Sequence, residues 1–149
     1  MPAGYSGTPL VKKLGIKEGH DVGLDRAPSG FDGTLGLLPS GARSSLLGRS
    51  GACDVILSFA RSTAELQAGI TRALTHMGPR SALWLCWAKK SSPLATEVTG
   101  DVVRNAGLAA GVVDIKVAAI DEDWSGLKFV YRVADRKDIA LRKRVVVKK

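Results

Sequence analysis

The side chains whose types and spacing best suit binding are Lys89, Lys90, Ser91 and Ser92. Two ammonium groups and two hydroxyls in succession can hold a phosphate or a carboxylate. Exposed loop N–H groups would add to such a site. The tetrapeptide ends the run Ser81–Ala88, which is apolar after its first serine. A run of that length between polar segments reads as a strand buried on both faces. Such a strand belongs in the middle of a parallel sheet, where ligands lie beyond the carboxyl ends. There is no P-loop pattern, so binding of a nucleoside triphosphate does not follow.

A second group is Asp121-Glu122-Asp123-Trp124-Ser125-Gly126. Its three carboxylates have no EF-hand or other metal-ligand spacing, so they read as a solvated turn and no metal is expected. Trp124 either covers the sheet edge or stacks on a base. If this turn lies at the same sheet edge as Lys89–Ser92, acidic and basic loops face each other and pair. Trp124 and Ser125 then become neighbours of the anion site.

The third place is the loop Asp25-Arg26-Ala27-Pro28-Ser29-Gly30, after a candidate first strand Asp21–Asp25. It is similar to the Ala-Pro-Gly-Gly loop of some RNA methyltransferases. A dinucleotide or methyl-donor site needs glycines there, so that backbone can approach the ligand. This loop lacks G-x-G-x-x-G and places Arg26 where a small residue is expected. Between Gly33 and Cys53 there is no Asp or Glu to hold ribose hydroxyls. No cofactor is therefore expected. There is no G-x-S-x-G elbow, and His20 and His76 form no recognisable pair with a cysteine, so no catalytic residue is assigned. Cys53 and Cys86 each sit in an apolar run and read as reduced core thiols.

The elements that must position these groups are set by periodicity. Tyr5-Ser6-Gly7 is a flexible lead-in. Thr8 is an N-cap with Pro9 at the first helical position, and Gly15 closes a short helix as a left-handed cap with Ile16 packed behind it. A second strand is placed near Ser44–Leu47 and a third at Asp54–Ala60. Ser62 and Glu65 form a capping-box pattern. Leu66, Ile70, Ala73, Leu74 and Met77 line one helix face, and Gly78-Pro79 ends that helix with His76 in its last turn. Thr99 caps a helix with Val102, Val103, Ala106 and Ala109 inward and Gly111 at its end. Val112–Ile120 is a strand with Val113, Ile115, Val117 and Ala119 on one face. Leu127, Phe129, Tyr131 and Val133 alternate in the last strand, and the short turn before it makes these two strands antiparallel neighbours.

The fold class is therefore α/β: a single Rossmann-like three-layer domain over 1–133, with a mostly parallel sheet, an antiparallel C-terminal strand and a shortened middle over 33–51. This order resembles the Rossmann-like sheet of S-adenosylmethionine-dependent methyltransferases, and topology alone does not fix function.

The chain has 149 residues and a formal charge of +8. Seven Lys/Arg against two Asp give residues 134–149 a charge of +5, so the body is only mildly basic. This basic tail reads as a solvated, partly disordered end, or as a surface that touches nucleic acid through phosphate charge. No apolar stretch is long enough to cross a bilayer, and the N-terminus has no signal-peptide pattern. The expectation is a cytoplasmic protein without membrane contact.

YSGTPLVKKLGI, WAKKSS, DVVRNAGLAAGVVDIKV and DEDWSGLKFV together resemble a family of small bacterial proteins catalogued as domain of unknown function 3052. The resemblance extends to about Arg132. It implies a single cytoplasmic bacterial domain and supplies no reaction.

Three functions are open at this point. The first is a non-catalytic domain that binds an anionic ligand or partner through Lys89, Lys90, Ser91 and Ser92, with Trp124 and Ser125 beside them. The second is a divergent S-adenosylmethionine-dependent methyltransferase-like enzyme that uses the Asp25–Gly30 loop. The third is a nucleic-acid accessory protein that acts through the basic tail. An edge strand left by the shortened middle would pair in a homodimer.

Overall fold

The computed structural model describes residues 7–49 and 51–148, the last six of them as backbone only. Tyr5 and Ser6 of the expected lead-in, and Lys149 of the tail, lie outside the described residues.

Helix α1 covers Leu10–Lys13. Its cap is Pro9 and not Thr8, with no side-chain bond at that end. Its other end is a Schellman motif: Ile16 N–H reaches Val11 O at 3.0 Å, Gly15 N–H reaches Lys12 O at 3.1 Å, and Gly15 has φ +77°. Strand β1 is Asp21–Asp25, α2 is Phe31–Leu35 and β2 is Arg43–Leu46. Strand β3 is Cys53–Phe59 and α3 is Thr63–Thr75. Strand β4 is Met77–Ala88, α4 is Gly100–Ala109, β5 is Val112–Ala119 and β6 is Trp124–Tyr131.

The six strands form one sheet in the order β2-β1-β3-β4-β6-β5. β1 is parallel to β2 and β3, β3 is parallel to β4, and β6 is antiparallel to both β4 and β5. The last strand thus inserts between the two before it. Two apolar clusters cover the faces. Leu66, Ile70, Val103, Ala106 and Ile139 pack on one face, while Leu14, Ile16, Phe31 and Leu35 pack on the other. This is the three-layer α/β arrangement expected, with a short second strand at the sheet edge. Among the described residues no helix is long and apolar enough to cross a membrane.

Four expectations need correction. Gly78-Pro79 does not end α3. The helix stops at Thr75 with His76 as its cap, and Met77 and Gly78-Pro79 already belong to β4. The strand absorbs the proline in an irregularity opposite Cys53–Val55. There Ser81 Oγ donates to Cys53 O at 2.6 Å and accepts from Gly78 N–H at 2.8 Å.

Ala109 is exposed, not inward. The apolar alternation of β5 fails because a bulge falls between Asp114 and Lys116. An extra residue reverses the side-chain phase, leaving Ile115 57% and Val117 63% exposed.

Finally, Val133 does not continue β6, which ends at Tyr131. Val133–Asp135 makes a 3-10 turn, and α5 covers Arg136–Lys148 with Ile139 in the core. One apolar anchor is enough to seat a helix that sequence periodicity barely marks.

Candidate functional site

The direction of strand addition reverses at β1, which has β2 on one side and β3 on the other. A crevice forms at the carboxyl ends of two strands where such a reversal occurs. In this chain the rule points to the space between the loop after Asp25 and the residues after Phe59.

Asp25 itself is closed off. It is buried, and Arg72 donates to both its oxygens, Nε to Oδ1 at 3.1 Å and Nη2 to Oδ2 at 3.0 Å. Ser58 Oγ also donates to Oδ2, at 2.7 Å. Helix α3 reaches this cluster because Gly69 faces it; a Cβ there would run into the Ser58 hydroxyl. Asp25 ties α3 to the sheet, with three hydrogen bonds engaging its two oxygens.

The next residue, Arg26, has φ +57° and is the one non-glycine residue with positive φ among the described residues. A left-handed residue with a Cβ costs about 1–2 kcal/mol. Arg26 Nη1 lies 3.5 Å from Glu65 O, and its Nε lies 3.7 Å from Glu65 Oε2. Across the crevice, Arg61 Nη1 donates to Arg26 O at 3.5 Å, and the Arg61 guanidinium sits 5.2 Å over the Trp124 ring. Ser62 Oγ caps Glu65 N–H at 3.1 Å, as the capping pattern requires. The Glu65 carboxylate does not return to the cap residue but accepts from Arg61 N–H at 2.8 Å. Two guanidinium groups and one carboxylate leave this corner positively charged.

In the sequence Arg26 reads only as an obstacle, and Arg61 carries no motif. The left-handed backbone at Arg26 has no sequence signature. The signal that could have found Arg61 is its place just past the carboxyl end of the Asp54–Ala60 strand, where a ligand site of this fold class lies.

The Lys89–Ser92 and Asp121–Asp123 segments meet and pair, as expected, through hydrogen bonds to backbone carbonyls and from the Ser92 hydroxyl. Lys89 N–H donates to Asp123 O and Lys89 Nζ donates to Asp121 O, both at 2.7 Å. Ser92, which is buried, donates from Oγ to Asp123 Oδ1 at 2.8 Å. Asp121 Oδ1 accepts from the N–H groups of Asp123 and Trp124, each at 2.8 Å. Lys90 and Ser91 are exposed, and Ser125 is half-buried. Trp124 is 2% exposed and packs edge-on against Phe59, with ring centroids 5.2 Å apart. It covers the sheet end and has no face left for a base.

His20 Nδ1 accepts from Lys17 N–H at 3.1 Å, and His76 Nδ1 lies 3.2 Å from Gly51 O. His20 holds a local turn, and His76, the cap of α3, reaches the segment before β3. Cys86 is buried in the sheet, and burial, reinforced by the charge of Asp121, pushes its thiol far above the ordinary range. Among the described residues no three His, Cys, Asp or Glu side chains converge as metal ligands.

No family model and no curated protein matches this chain. Solved structures do. The chain is similar to an S-adenosylmethionine-dependent methyltransferase from Aquifex aeolicus, with a TM-score of 0.56, 14% identity, and 80% of this chain and 86% of that one covered. It is similar to Aeropyrum pernix fibrillarin, solved with natively bound S-adenosyl-L-methionine, with a TM-score of 0.55, 11% identity, and 81% and 73% covered. It is also similar to TrmN from Thermus thermophilus, with a TM-score of 0.54 and 12% identity. There it covers 83% of its own length and spans only 47% of the other chain.

The side chains at the crevice do not fit S-adenosylmethionine in the usual way. The end of β2 carries Leu46-Leu47-Gly48-Arg49, with no carboxylate for ribose hydroxyls. The acid at the end of β1 is committed to Arg72. At these identities the likeness concerns architecture: the chain has the Rossmann-like, mostly parallel α/β fold of methyltransferases.

Proposed function

We propose that this chain is a divergent methyltransferase-like domain whose ligand lies in the crevice at the carboxyl ends of β1 and β3. The fold supports this reading over a non-catalytic anion site at Lys89–Ser92, because Lys89 and Ser92 are engaged with the Asp121–Asp123 turn. The observation that carries it is Arg26, held in a left-handed conformation at the strand reversal and bridged to Arg61. Strain of this kind persists where surrounding structure enforces it, and it clusters at ligand sites.

Arg26 and Arg61 recharge the crevice. Guanidinium groups suit phosphate oxygens through paired, charge-assisted bonds. The ligand class is therefore a phosphate-bearing small molecule such as a nucleotide. Titration calorimetry with ADP tests this. Saturable heat is expected, with affinity lowered about tenfold by either Arg26→Ala or Arg61→Ala. Absence of heat, or binding indifferent to both substitutions, would count against it.

The structural neighbours favour a second reading, in which the crevice takes S-adenosylmethionine despite the missing carboxylate. Heat with S-adenosylmethionine and none with ADP would select that reading.

A further inference from the structure

A groove of about 740 Å3 opens between α1, the end of α2 and the β5–β6 turn. None of Asp25, Arg26 and Arg61 lines it. Leu10, Leu35, Leu37 and Ile120 give it an apolar surface, and Asp121–Asp123 forms one wall. The left-handed Gly36 ends α2 and turns Leu37 outward, where it is 94% exposed. A large apolar side chain in water at the lip of a concave site gains by being covered.

The groove lining is net acidic, with Lys12 and Lys116 on the surface that adjoins it at Lys13. Lys13 is the one lysine in its lining, against three carboxylates. Asp121 uses Oδ1 to hold its own turn, and Asp123 uses Oδ1 to accept from Ser92 in the neighbouring loop. They keep their negative charge while doing so. Glu122 is exposed.

We infer that this groove binds a small amphipathic cation: an apolar, ring-sized body with one ammonium group. Its volume falls in the range of small-molecule sites, about 300–1,000 Å3. The apolar surface takes the body, and the acidic wall selects the sign of the head group. The inference stands independently of the crevice reading, because the two sites share no lining residue.

The test is an amide chemical-shift titration of the full chain with tryptamine and, separately, with indole-3-propionate. These probes share an indole and a two-carbon arm and differ in the charge at its end. Tryptamine is expected to shift the amides of Leu35, Leu37, Ile120 and Glu122, with a dissociation constant on the order of 1 mM for so small a probe. Indole-3-propionate is expected to leave them in place. Glu122→Lys should weaken tryptamine about fivefold, and the exposed Leu37→Ser should weaken it without unfolding the protein. Equal binding of both probes, preference for the carboxylate, binding elsewhere on the chain, or no binding overturns the inference.

Discussion

Arg72 grips both carboxylate oxygens of Asp25, forty-seven residues away in sequence, and so fixes α3 over the ends of β1 and β3. Ser58 completes the cluster from β3. The arrangement turns the acid that ends β1 into a structural tie and leaves the crevice to Arg26 and the loop beyond it. Arg72→Ala strands a buried carboxylate with one hydroxyl donor. It should cost about 2–3 kcal/mol, discounted from the fully buried case because Arg72 is 40% exposed. Urea unfolding measures this; a loss under about 0.5 kcal/mol would show that the tie is not important for stability.

Arg26→Gly separates strain from binding. Glycine adopts positive φ without a Cβ clash, so stability should hold or rise by up to about 1 kcal/mol. Affinity for ADP should fall at the same time. A variant that is both destabilised and unaffected in binding contradicts the role given to Arg26.

The two lysines of Lys89-Lys90 should behave differently. Lys89→Ala removes the bond to Asp121 O and should lower stability by about 1 kcal/mol. Lys90→Ala, on the exposed side, should stay within about 0.5 kcal/mol of wild type. Thermal melts of the two variants check this, and equal melting temperatures would show that the latch is unimportant.

Glycines give a matched pair. A methyl group at Gly107 would run into the Phe129 ring, so Gly107→Ala should destabilise by about 2–3 kcal/mol. Gly33 sits in α2 with open space around it, and Gly33→Ala should stabilise by about 0.5–1 kcal/mol. Denaturant midpoints for the two variants should move in opposite directions.

Cys86 links stability to alkaline pH. Its folded-state value is raised, so the unfolded thiol, at about pH 8.5, ionises first. Above that pH the unfolded state binds fewer protons than the folded one, and stability falls as pH rises. Tyr131, raised by burial against the opposing charge of Arg142, acts in the same direction at higher pH. Lys128, lowered by burial and then by Lys116 and Lys17, acts in the opposite sense. Both groups remain in Cys86→Ala, so comparison with wild type isolates the thiol. The variant should lose less stability between about pH 8 and about pH 10. Parallel curves would contradict the burial argument.

Much of the fold was legible because the signals were local. Ser62 and Glu65, Thr99, and Gly15 with Ile16 each mark a helix end by chemistry within a few residues. What escaped depended on distant partners. The β5 bulge reverses a clean alternation at Ile115, and only the pairing with β6 reveals it. α5 needs Ile139 to find the core. The candidate site divided the same way. Lys89–Ser92 and Asp121–Asp123 were legible as neighbours that pair, yet the sequence does not show that the bonds run through backbone carbonyls and the Ser92 hydroxyl. Arg26 and Arg61 meet only because β1 and β3 are neighbours in the sheet.

The most direct test of the crevice is an amide chemical-shift map of the full chain titrated with ADP. Saturable shifts are expected, concentrated at Arg26–Gly30 and Arg61–Thr63 and lost in the Arg26→Ala, Arg61→Ala double variant. Shifts confined to Lys90–Ser91 or to α5, or no shifts at all, would contradict a phosphate-binding crevice at β1 and β3.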